Sequence, residues 1–115
     1  MSSPFTALLA SLIRHRGVTG CMVVGASDGL IVDSSLQTGV NGEAFAALSA
    51  SLYRKAQRAA RAAGFGEAGF FELDAERGHM CATGRNDLVL VVVSEPRLNV
   101  GLLRVEMLRA LEAFA

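Results

Sequence analysis

An α+β sandwich, one five-stranded antiparallel sheet between helices, is the fold class that three features of this sequence predict. Residues Val18 to Asp33 hold two apolar runs, VTGCMVVG and LIVD, hinged on Ser27-Asp28-Gly29, which reads as a tight hairpin. Leu88 to Val93 (LVLVVV) is apolar at every position, as a central strand covered on both faces must be. The remaining patterns complete an order of helix-strand-strand-helix-strand-strand-strand-helix. An antiparallel hairpin lying between two helical segments separates this chain from parallel, nucleotide-binding βαβ architectures.

Ser3 before Pro4 reads as an N-cap with proline at the first helical position, and Phe5, Leu8, Leu9, Leu12 and Ile13 recur at helical spacing. The first helix is expected to reach about Arg16, with Arg14, His15 and Arg16 in its last turn and Gly17 as a left-handed cap. After the hairpin and the polar loop Gln37–Gly42, the segment Glu43–Ala63 is rich in alanine and free of Gly and Pro, which predicts a long helix ended by Gly64. Its apolar stripe is Phe45, Leu48, Leu52, Ala56, Ala59 and Ala63. Ala46, Ala47, Ser49, Ala50 and Ser51 offer a small-residue surface that a second helix could approach, and Arg54, Arg58 and Arg61 share a further face beside Lys55. Glu67–Asp74 (EAGFFELD) reads as a strand, Ala75–Gly78 as a turn, His79–Thr83 as its return and Gly84–Asp87 as the next turn. Pro96 closes the LVLVVV strand. Leu98–Phe114 then carries a stripe of Leu98, Leu102, Val105, Leu108 and Leu111, flanked by Leu103, Met107 and Phe114.

With 115 residues and 12.1 kDa, positions 1–115 are expected to form one domain around one core. The chain is 51% apolar with mean hydropathy +0.38, yet no apolar run approaches the roughly 20 residues of a membrane-crossing helix. No membrane insertion is expected, and surplus apolar surface should meet another subunit. Eleven basic and eleven acidic residues cancel, so no global field draws the chain to nucleic acid. The N-terminal apolar stretch has its basic residues after it rather than before, opposite to a secretory signal, which leads to a cytoplasmic expectation. Cys21 and Cys81 sit in apolar strands, where reduced cysteine behaves as a small hydrophobe.

Chemistry-bearing motifs are sparse. No G-x-x-x-x-G-K-[ST] loop occurs, so the chain is not itself expected to be a GTPase, and Gly17, Gly20 and Gly25 have the wrong spacing for a dinucleotide fingerprint. His79 and Cys81 share a strand face, but two ligands fall short of a tetrahedral metal site and packing is the plainer reading. No catalytic residue, cofactor or metal is expected. The cations Arg54, Lys55, Arg58 and Arg61 precede the acids Glu67, Glu72, Asp74 and Glu76. That segregation is either a solvated, carboxylate-paired face or a docking surface for an acidic partner.

Taken together, GVTGCMVVGASDGLIVDS, LVLVVV and NVGLLRVEMLRALEAF resemble the roadblock/dynein light-chain family, particularly its small bacterial and archaeal members, over nearly the whole chain. The resemblance implies a profilin-like sandwich that dimerises by pairing edge strands into one continuous sheet, with the middle helices side by side. It also implies small Ras-like GTPases as partners and a place in polarity or motility switches. The loops Ser94-Glu95-Pro96-Arg97 and Gln37–Gly42 match no motif of that family. Independently of it, a strand bearing Phe70 and Phe71 is an awkward edge to leave in water. Gly69, Phe70, Phe71 and Glu72, with Ala47, Ala50 and Ser51 on the long helix, are therefore the expected dimer contacts, and Tyr53, Arg54, Gln57 and Arg61 the expected partner contacts. The expected function is a non-enzymatic homodimeric regulator or scaffold of a small Ras-like GTPase. The alternative is a small-molecule-sensing or general interaction module of profilin-like fold, which would need a roomy polar pocket.

Overall fold

The computed structural model describes residues 3–96 and 98–114, so Arg97 of the loop before the last helix lies outside the described residues. The elements are α1 (Thr6–Ile13), β1 (Val18–Gly25), β2 (Ile31–Leu36), α2 (Gly42–Ala62), β3 (Phe71–Ala75), β4 (Gly78–Arg85), β5 (Leu88–Ser94) and α3 (Val100–Ala110), followed by a 3-10 turn at Leu111–Phe114. The strands form one antiparallel sheet in the order β2-β1-β5-β4-β3. This is the expected fold class and element order.

Side chains alternate across the sheet, so each strand feeds two cores. On one face Phe5 just before α1, Leu9 and Leu12 of α1, and Leu103 and Met107 of α3 pack on Cys21, Val23, Cys81, Leu90 and Val92. On the other face Ala46 of α2 packs on Met22, Val24, Met80, Val89, Val91 and Val93. The central position of β5 explains its unbroken apolar run: Val89 to Val93 are at most 6% exposed. Both cysteines are free and buried, as expected of reduced strand cysteines.

Several local expectations are corrected. Helix α1 stops at Ile13, so Arg14, His15 and Arg16 lie beyond its last turn, although Gly17 does adopt a left-handed φ of +89°. The helix begins at Thr6, and Ser3 acts just ahead of it, its hydroxyl accepting from the Phe5 N–H at 3.1 Å. The first hairpin is not tight. Five residues, Ala26–Leu30, connect β1 to β2, with Asp28 Oδ1 accepting from Leu30 N–H at 2.9 Å and Gly29 at φ +71°. The tight hairpins lie elsewhere, at Glu76-Arg77 and at Asn86-Asp87, whose φ values of 56° and 64° suit a two-residue turn. Strand β3 starts at Phe71, not Glu67, so the Glu67–Phe70 segment approaches the sheet without joining it.

The helix stripes are the larger correction. Helix α2, capped by Asn41 through its bond to Ala44 N–H, buries Gly42, Ala46, Ser49, Ala50 and Gln57 rather than the Phe45–Ala63 stripe. Small residues let its backbone approach the sheet; of the expected stripe, Phe45 and Leu52 pack half-buried at the margin of that core, while Leu48, Ala59 and Ala63 stay exposed on the flank. In α3 the buried residues are Leu103 and Met107, which the sequence placed at the margin, while Leu102, Val105 and Leu108 of the expected stripe face outward. In both helices apolar or small residues spread beyond a single stripe, so periodicity alone does not choose the buried side.

Candidate functional site

Among the described residues, strand β3 is an outer edge of the sheet and pairs only with β4, in unbroken register from Phe71↔Ala82 to Ala75↔Gly78. All its residues after Phe71 are exposed, and Leu73 leaves 41% of its surface in water. An edge of this kind presents unpaired backbone donors and acceptors to any incoming strand. The two expected aromatic anchors are placed differently from each other. Phe70 precedes the strand, half-buried against the α1/α3 core, with the Arg104 guanidinium 5.1 Å from its ring centre. Phe71 turns to the α2 face and meets Tyr53 with ring centres 6.2 Å apart. Both aromatics are thus largely engaged within the subunit, and the apolar group bared on the edge is Leu73.

Beside that edge runs the displaced stripe of α2. Phe45 and Leu48 line an open groove of about 480 Å³ together with Leu73, Ala75 and Met80, and Val40, Val93 and Pro96 also contribute to its walls. Its exposed lining is mostly apolar. It is a groove along a flank, not the roomy polar pocket that a small-molecule sensor would need. Leu48 is 43% exposed on its margin. Bare edge and apolar flank therefore form one continuous surface. The small residues expected at a dimer contact do not lie on it. Ala47 and Ala50 border Gly29 of the β1–β2 connection, on the side of α2 away from β3, and Ala50 is 1% exposed. Ala50 is consumed by the subunit's own core; Ser51 is half-buried and Gly69 exposed, its carbonyl accepting from Thr83 Oγ1 at 2.7 Å.

The expected partner contacts also turn inward in part. Gln57 is buried and holds the approach to β3 with two bonds, Nε2 donating to Ala68 O at 2.8 Å and Oε1 accepting from Ala68 N–H at 2.9 Å. Arg54 donates from Nη1 to Ala26 O at 2.6 Å, pinning the β1–β2 connection. Tyr53 packs over Gly84, where a Cβ would come within 2.7 Å of its ring. Of the four, Arg61 alone is exposed, 3.4 Å from Glu67. With Lys55 and Arg58, also exposed, it leaves a cationic outer side on α2.

A polar cluster sits on the opposite face of the same edge. His79 Nε2 is 2.7 Å from Glu72 Oε2 on β3, while its Nδ1 faces Ser94 Oγ at 3.5 Å and Cys81 Sγ at 3.7 Å. The arrangement has the order of a thiol, an imidazole and a carboxylate, but the thiol is unfit as a nucleophile. Burial, and secondarily the Glu72 charge, push Cys81 up to about 12, so it stays protonated near neutrality. The donors of Glu72, His79 and Cys81 lie within 4.8 Å of one another, yet the two ring nitrogens face different partners. An Nε2–H donated to Glu72 leaves Nδ1 free to accept from Ser94 or Cys81, which satisfies the ring inside the protein. The cluster stitches β3, β4 and β5 together below the edge.

The Roadblock/LC7 domain family matches residues 5–94, spanning α1 through β5. The chain belongs to that family. Its relatives include two uncharacterized proteins of Methanocaldococcus jannaschii, MJ1340 and MJ0310, each 32% identical, over 91% and 90% respectively of both chains. The roadblock fold is seen again in a Roadblock/LC7 domain from Streptomyces avermitilis, 17% identical over 94% of both chains with TM-score 0.81. It recurs in Myxococcus xanthus MglB, 20% identical over 97% of this chain and 94% of that one, with TM-score 0.80. The gliding protein MglB of Thermus thermophilus is 18% identical over all of this chain and 90% of its own, with TM-score 0.83. No helix among the described residues is long and apolar enough to cross a membrane.

Proposed function

We propose that this roadblock domain is a non-enzymatic, homodimeric regulator or scaffold of a small Ras-like GTPase, acting in the cytoplasm. The observation that carries the reading is the continuity of the bare β3 edge with the apolar flank of α2. A second copy pairing β3 antiparallel with β3 would close both edges into one sheet and lay two α2 helices side by side over it. The outer side of those helices would then present Lys55, Arg58 and Arg61 as a shared platform. Complementary charge governs encounter and partner choice, so such a platform suits an acidic surface. Family membership and the likeness to a gliding protein support a polarity or motility setting.

The test uses purified small Ras-like GTPases from the same genome, each in its GDP and GTP-analogue states. Binding by one of them, weakened at least about tenfold in a Lys55→Glu/Arg58→Glu variant and by raised salt, is expected. Absence of binding by every such GTPase in both states would refute the assignment. Arg54 is left out of the variant because its side chain supports the fold.

A further inference from the structure

We infer that Phe65 of each subunit plugs the groove of a second copy of this chain, locking the dimer at both ends of its paired α2 helices. The inference rests on the β3-edge dimer proposed above.

Phe65 follows α2 in a two-bond termination. Gly64 N–H donates to Arg61 O at 3.0 Å, Phe65 N–H donates to Ala60 O at 2.9 Å, and Gly64 takes a φ of +79°. In this kind of helix end, the residue after the glycine commonly folds an apolar side chain back onto the last turn. Here that turn offers Ala59 and Ala60, which are too short to cover a phenyl ring. Phe65 is consequently 83% exposed, more than any other large apolar side chain described. Its backbone is tied down while its ring is bare, which is a costly arrangement for an isolated subunit and a suitable one for a knob.

The matching hole lies at the opposite end of the same helix. The groove between Phe45, Leu48, Leu73 and Met80 opens beside the N-terminal half of α2, with Val40 also on its wall. In a single chain the knob and the hole are separated by most of the 21-residue helix, roughly 30 Å at 1.5 Å per residue, so one cannot fill the other. Symmetry brings them together. Antiparallel pairing of β3 with its copy requires a twofold axis perpendicular to the sheet, because only that axis keeps both α2 helices on one face while reversing their directions. The C-terminal end of one α2 then lies beside the N-terminal end of the other, and Phe65 arrives at the partner's groove. The twofold repeats the contact, filling both grooves and covering both rings.

The chain contains no tryptophan, so a Phe65→Trp variant carries one fluorophore at this position. Its emission is expected to be blue-shifted at concentrations where light scattering reports twice 12.1 kDa, and to move to the water-exposed wavelength as dilution produces monomer. A Phe65→Asp variant should raise the dimer dissociation constant about 30-fold or more, with unchanged far-UV circular dichroism because the residue is exposed. A Phe65→Trp dimer whose indole emission stays water-like, or a dissociation constant unmoved by Phe65→Asp, overturns the plug and leaves the dimer standing. A particle of 12.1 kDa at every concentration overturns both.

Discussion

The two edges of the sheet carry comparable apolar surface but differ in what they offer a partner. On β2, Val32 is 51% exposed, and on β3, Leu73 is 41% exposed, so hydrophobicity alone does not distinguish them. Backbone regularity does. The β1–β2 register shifts between Val23 and Val24, leaving Val32 as the extra residue of a bulge. Asp33 Oδ1 accepts from Ser34 N–H at 2.8 Å, and its other oxygen is held by the hydroxyls of Ser3, ahead of α1, and Thr6, its first residue. Bulges, charges and a covering element are the devices that blunt an edge against further pairing. Strand β3 has an unbroken ladder and an apolar groove alongside. One edge is interrupted by its own chain and the other runs open along its length.

The largest expected effect separates the two edges directly. Leu73→Lys places a charge on β3 and should weaken self-association at least about 30-fold, whereas Val32→Lys on β2 should leave the mass-against-concentration curve where it was. Equal curves for the two variants, measured by sedimentation, would break the distinction between the edges. An intermediate effect is expected at the approach to β3. Gln57→Ala strips both bonds from Ala68 and should cost about 2–4 kcal/mol in denaturant unfolding. A loss below about 0.5 kcal/mol would mean that the segment finds other partners.

The smallest effect belongs to the blunted edge. The Ser3 hydroxyl is the main cause holding the Asp33 carboxyl below its ordinary value of 3.8; burial opposes it, and Ser34 N–H and Thr6 add smaller downward pulls. A carboxyl with a lowered folded-state pKa contributes stability above its unfolded value, and that contribution fades as pH falls through the folded one. A Ser3→Ala variant should therefore melt slightly lower than the parent near neutrality and converge with it below about pH 3. Parallel melting curves down to acid pH would show that the contact stabilises nothing.

Much of the architecture was legible because it is encoded locally. The all-apolar Leu88–Val93 run announced a strand covered on both faces, and the alanine-rich segment before Gly64 announced a long helix with its terminator. The candidate surface was legible only in outline. The open edge was foreseen, but its bared residue is Leu73 and not the Phe70-Phe71 pair, each ring of which found a partner inside the subunit. Gln57 and Arg54 looked like surface contacts because nothing in their neighbourhood reveals that the backbone of Ala68 or Ala26 lies within reach. Phe65 carries a local signal in the sequence: an apolar residue just past a helix-ending glycine, with only alanines to pack on.

The amino-acid order by itself determined which segments become strands and helices, where the chain stops and turns, and that the sheet is antiparallel, since these follow from side-chain periodicity and backbone preference over a few residues. Tertiary structure decided which side of α2 and α3 is buried, which edge stays open and which polar side chains are held inside. Those outcomes depend on groups distant in sequence competing for the same space, and two flanks of similar hydropathy are told apart only when one of them is already occupied.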